Sequence, residues 1–94
     1  MPLRRGEPVG YHFDRRIFEF TMLDEAKVVR CGISAAAMDG LEKATLTIPA
    51  ARPSQFLRLR DRIEHRASQK YSESTLERTD PVILLRSADF FPEG

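Results

Sequence analysis

Apolar positions recur with a helical period across residues 54–71, where Phe56, Leu59, Ile63 and Ala67 fall on one side and Arg58, Arg62, His65 and Gln69 on the other. Side chains three and four positions apart share a helix face, so this spacing predicts an amphipathic helix of about five turns. Ser54, following Pro53, is placed to cap its start, and the pattern ends near Tyr71 or Ser72. Upstream the period shortens to two. Residues 17–23 set Phe18, Phe20 and Met22 against Glu19 and Thr21, and residues 27–33 set Val29, Cys31 and Ile33 against Val28, Arg30 and Gly32. Both read as half-buried strands, and Asp24 and Glu25 between them supply the turn of a β-hairpin.

Weaker signals fill in the rest. Residues 10–13 have a short extended character after Asp14-Arg15-Arg16 is assigned to a turn, and the glycines and prolines before them mark residues 1–8 as a loose arm. Ser34 directly after the second strand is a good N-cap for a helix over residues 35–44, weakened in its middle by Gly40, which costs up to about 1 kcal/mol relative to Ala. Residues 45–53 read as a connector, with a short edge strand at Leu46 and Ile48 as the alternative. Residues 72–80 are polar and turn-like. Pro81 can begin a strand, so residues 82–86 form the last one, and residues 88–94 return to loop. This order predicts an α+β fold: a small, mostly antiparallel sheet of three or four strands in the order β-β-α-α-β, covered on one face by two helices. One domain over residues 9–91 with a tail at 92–94 fits the 94-residue length.

Composition narrows the class without naming a function. With 41% hydrophobic and 31% charged residues the chain reads as globular, and its apolar runs are far shorter than the roughly 20 residues that span a bilayer. The first residues carry no signal-peptide core and Cys31 has no partner for a disulfide, so a cytoplasmic location is expected. Net charge is +1, but residues 52–71 hold six positive residues against Asp61 and Glu64. That asymmetry is the electrostatic hint of a partner surface.

Reaction chemistry is hard to find. Cys31 lies on the apolar face of its strand, where a thiol packs and a thiolate is disfavoured. His12 and His65 are isolated and lack the further ligands a zinc site needs; His65, one turn after Asp61, reads as half of an exposed pair. The glycines form no phosphate cradle and the serines no nucleophile elbow. No catalytic residue, metal or cofactor is expected. Two clusters remain. Arg58, Arg62 and Arg66 follow one another at four-residue spacing, which costs an isolated helix about 0.2–0.5 kcal/mol per pair and invites an acidic partner or nucleic-acid phosphates. Arg60 projects within the apolar stripe and must snorkel or meet Glu64 one turn on, making an ion pair or a small-anion site.

The strand ending Cys31-Gly32-Ile33-Ser34 into a helix, the series Phe56, Arg60, Ile63-Glu64, Ala67 and Lys70-Tyr71, and the closing segment from Val82 to Asp89-Phe90 together resemble the bacterial family known as domain of unknown function 1488. The resemblance implies a small α+β protein and carries over no catalytic residues. Two apolar faces on the hairpin, with Phe18 and Phe20 on one and Ile17 and Leu23 on the other, exceed what two helices can cover. A non-enzymatic interaction module forming a homo-dimer, or meeting another protein, is therefore expected. Weak nucleic-acid binding through the basic helix face is the alternative.

Overall fold

The computed structural model describes residues 3–44, 47–73 and 82–91. Four strands, β1 (Arg4–His12), β2 (Ile17–Asp24), β3 (Lys27–Ser34) and β4 (Ile83–Leu85), form one sheet in the order β1-β2-β3-β4. The first three pair antiparallel, and β4 lies parallel to β3. Among the described residues three α-helices accompany them: α1 (Ala35–Glu42), α2 (Arg52–Ser72) and the single turn α3 (Ser87–Phe90). The α+β class with a mostly antiparallel sheet is as expected, although the order gains a full strand at its start.

Phe18, Phe20, Met22, Val29, Cys31 and Ile33 project from one side of the hairpin and meet Phe56, Leu59, Ile63 and Ala67 of α2 in a single core. The ring of Phe56 stacks on Phe18 at 4.6 Å and leans on Phe20 at 5.0 Å between centroids. Offset and tilted rings of this kind are favourable beyond the area they bury. Ile83 and Leu85 complete the layer from β4. The hairpin turns at Glu25, held at φ 56°, a left-handed conformation of the sense that two-residue loops demand.

Four expectations fail, each for a tertiary reason. Residues 4–8 are not a loose arm but half of β1, paired with β2 through irregularities around Pro8 and Gly10. Proline is acceptable there because β1 is an edge strand with one row of unpaired backbone groups. Leu3 is also buried, its amide donating to Ser68 Oγ at 3.2 Å. Second, α2 begins at Arg52 rather than Ser54, entered from a 3-10 turn over Pro49–Ala51. Pro53 then sits in the first helical turn, where its missing N–H has no partner to lose. Third, α1 stops at Glu42, with Lys43 left-handed at φ 54°. Gly40 is not a weak point but a contact: a Cβ there would lie 3.0 Å from the Phe91 ring. Fourth, Ser87–Phe90 is helical rather than loop, begun by Asp89, whose carboxylate accepts from the Arg86 amide at 2.8 Å. The edge-strand alternative at Leu46 and most of the polar segment 72–80 fall outside the described residues.

Cys31 is fully buried, with Sγ facing the Val29 carbonyl at 3.6 Å. Burial, reinforced by the Glu64 carboxylate, pushes its thiol up to about 12. At neutral pH the thiolate fraction is then on the order of one in 10⁵. Native protein is expected to leave a disulfide-exchange dye unreacted for hours, with one thiol titrating on addition of denaturant. Prompt native reactivity would place this side chain outside the core.

Candidate functional site

Each sequence-level cluster finds a definite place. Arg60 donates from Nε to Glu64 Oε2 at 2.9 Å and from Nη2 to the Gly6 carbonyl at 3.0 Å, while Arg5 Nε reaches Glu64 Oε1 at 2.8 Å. The cluster is therefore an ion pair that clamps β1 onto α2, and both carboxylate oxygens of Glu64 are engaged. Arg60 also lies 5.8 Å from the Phe56 ring centroid, the geometry of a cation over an aromatic face. Asp61 bonds Arg5 at 2.7 Å instead of pairing with His65.

The three-arginine stripe on α2 is divided. Arg58 makes a two-pronged contact with Glu42 of α1, at 2.8 and 3.0 Å, which holds the Glu42 carboxyl below the usual carboxylate range. Arg66 donates to the Asp89 carbonyl at 2.8 Å and lies near the carboxylates of Asp89 and Glu73. Arg62 is exposed and makes no hydrogen bond or ion pair among the described residues. Carboxylates far apart in sequence, rather than neighbours on α2, relieve the repulsion along the stripe. Lys70 joins α2 to β4 and α3 through the Leu84 carbonyl at 2.8 Å and Asp89 at 3.3 Å.

Two features were missed by sequence reasoning. One is a buried polar junction between α1 and α2. Arg52, 6% exposed, bonds Asp39 Oδ1 and Gln55 Oε1, both at 2.7 Å, and Asp39 also accepts from Gln55 and Thr47. Burial alone drives the Asp39 carboxyl up, but the bonds from Arg52, Gln55 and Thr47 together outweigh it and hold it below its ordinary value. Beside this junction opens a cleft of about 430 Å³, reached by Tyr11, Arg16 and the start of α1. The signal available in the sequence was an arginine and a glutamine at positions 52 and 55, on the same helix face as Phe56 and Leu59, where no apolar core would place them.

The other lies on the far side of the sheet. Alternation along β2 puts Glu19 opposite the aromatic face, yet it is only 4% exposed. Its Oε1 lies 2.6 Å from His12 Nε2 on β1, and its Oε2 accepts from Arg30 on β3 at 2.6 and 2.9 Å. Burial, the largest single influence, raises the Glu19 carboxyl, and the bonds from Arg30 and His12 together more than reverse it. Around this trio the pairing register sets Ile17, Leu23, Val28 and Leu84 on the same face, with Val28 58% exposed. Alternation sets Glu19 on the polar side of a half-buried strand, and its neighbours across the sheet cover it there. Among the described residues no three His, Cys, Asp or Glu side chains converge as metal ligands, and no described helix is long and apolar enough to cross a membrane.

A small α+β domain with a one-sided helical layer and many of its described charges engaged in ties between elements is what the fold and these sites define. A family model described as "Protein of unknown function (DUF1488)" matches residues 8–84. The chain belongs to that family. A crystal structure of a protein of unknown function from the DUF1488 family of Shewanella loihica PV-4 superposes with a TM-score of 0.77 at 17% identity, covering 88% of this chain and 90% of that one. At that identity the likeness concerns the fold. No curated protein matches the chain.

Proposed function

We propose that the protein is a non-enzymatic interaction module that pairs with a second copy of itself through the sheet face centred on Glu19. The carrying observation is that this face joins exposed Val28 and half-buried Leu23 and Leu84, with Ile17 buried beside them, to a charged trio that holds both signs at its centre. A twofold axis over such a face brings apolar side chains together and sets Arg30 of one copy near Glu19 of the other, so the same patch serves both partners. Pairing at an edge is less suited. β1 is irregular at Pro8 and Gly10, and β4 is three residues long, both of which discourage strand addition.

Size sets the strength. Three strands of eight or nine residues and a three-residue fourth give a face of about 400 Å² in projection. Stable complexes bury about 800 Å² per partner, so a micromolar dimer is expected rather than a permanent one. Nucleic-acid phosphates on Arg58, Arg62 and Arg66 are the lesser reading, because Glu42 and Asp89 already engage the first and last.

Sedimentation across a concentration series tests the proposal. The mass is expected to rise from 10.8 kDa toward twice that value as concentration passes through the micromolar range. Val28→Glu, which adds a charge at an exposed position, should weaken association at least roughly tenfold while leaving the melting temperature unchanged. A wild-type protein that stays monomeric at about 500 μM, far above any micromolar Kd, would overturn it.

A further inference from the structure

The cleft beside the Arg52 junction holds several donors with no acceptor among the described residues. Both oxygens of its one acid, Asp39, are engaged: Oδ1 accepts from Thr47, Arg52 and Gln55, and Oδ2 from Arg52 at 3.3 Å. The groups left over are of the opposite kind. At the start of α1 the Ala35 amide is taken by the Arg16 carbonyl and the Ala37 amide by Ser34 Oγ, leaving the Ala36 amide between them without a protein acceptor among the described residues. The guanidinium of Arg16 and the hydroxyl of Tyr11 have no hydrogen-bond partner among the described residues. Independently of the helix end, Arg52 lines the cleft with a side chain 8% exposed, and its Nε is buried with no acceptor. A buried donor without a partner is costly, so an added negative charge within reach of Arg52 is favoured.

Electrostatics point the same way. α1 opens with three alanines and no acid in its first turn, so its positive end is neither neutralised nor shielded by bulk. Arg16 and Arg52 against Asp39 leave the lining with one excess positive charge. The lining also includes the ring of Tyr11, with Arg52 5.5 Å from its centroid, together with Pro49 and Phe13, the last 72% exposed. A volume of about 430 Å³ lies within the roughly 300–1,000 Å³ of small-molecule sites.

We propose that this cleft binds a small organic oxyanion, a phosphate or carboxylate attached to an aromatic or aliphatic body. The oxyanion sits at the Ala36 amide and the Arg16 guanidinium, with the charge of Arg52 behind it. The body lies against Phe13 and Pro49. The site is on the side of the sheet away from the Glu19 trio, so it stands whether or not the protein pairs with itself.

Amide chemical-shift titrations of the full chain with phenyl phosphate, benzoate and inorganic phosphate test this. Phenyl phosphate or benzoate is expected to shift the Ala35, Ala36 and Arg16 amides saturably, with a Kd of about 1 mM or tighter, and inorganic phosphate to bind more weakly for want of the body. Saturation by one organic probe with the other silent supports the site and names its anion. Arg16→Ala, at an exposed side chain, should weaken binding roughly tenfold without lowering the melting temperature. Shifts that stay linear to about 20 mM for all three probes, or that are the same in Arg16→Ala, would overturn the proposal.

Discussion

Replacing Phe56 by alanine is expected to remove about 3–5 kcal/mol of stability, the range for deleting a large buried aromatic side chain. Phe56 is fully buried, and its ring packs on both Phe18 and Phe20. Loss of the two ring contacts adds to the cavity, and the sheet cannot collapse into the gap without leaving its own pairing register. Domains of this length unfold with 5–15 kcal/mol in hand, so the variant stands near the limit of folding. A melting temperature lower by on the order of 20 °C follows from the usual entropy of unfolding. Leu57, the next residue, is 55% exposed, and its change to alanine should stay within about 0.5 kcal/mol. Urea unfolding of the two variants in parallel measures the contrast. Equal effects would mean that α2 does not dock through its Phe56 face.

Asp39→Ala is expected to be nearly as severe, for an electrostatic reason. The substitution leaves Arg52, 6% exposed, without the carboxylate that takes two of its N–H groups. Breaking one side of a buried pair costs about 3–5 kcal/mol because the remaining charge stays desolvated. The low end, about 3 kcal/mol, applies here, since the Asp39 side chain is 25% exposed and water entering from the cleft can reach Arg52 in part. A second change, Arg52→Met, removes the stranded charge and should recover more than half of the loss, which a merely local packing defect would not do. The same pair sets a pH dependence. The carboxyls of Asp39 and Glu19 both titrate below their ordinary values in the folded protein. Their contribution is therefore whole above the unfolded-state value near pH 4 and is lost as pH falls from there through the lowered folded-state values. Stability is expected to be level in this respect from about pH 6 to pH 8 and to drop below about pH 4, with a shallower acid limb in Asp39→Ala.

The structure divides the legible from the illegible along a physical line. The stripe of Phe56, Leu59, Ile63 and Ala67 was readable because helix geometry turns spacing into a face, and the hairpin because a period of two turns alternation into sides. Arg60 and Glu64 were readable for the same reason: one turn separates them, so the pair is local. The partners of Arg58 and Arg66 were not. Glu42 lies 16 residues from Arg58 and Asp89 lies 23 from Arg66, and no periodicity links such positions. β1 was missed over residues 4–8 because Gly6 and Pro8 are poor strand formers in isolation. Pairing with β2 overrides that preference, and Gly6 lies so close to Thr21 that a Cβ would come within 2.5 Å of its carbonyl oxygen.

By itself, then, the sequence determined the α+β class, the docking face of α2 and the buried, unreactive state of Cys31, all consequences of which side chains share a side of one local element. Only the tertiary structure decided that Glu19 is covered by His12 and Arg30, that Arg52 and Asp39 meet, and that a cleft rich in unmet donors opens at the start of α1. Those outcomes depend on strand order and helix placement, because a charge is engaged or left free according to what stands opposite it in space, and distance along the chain carries no record of that.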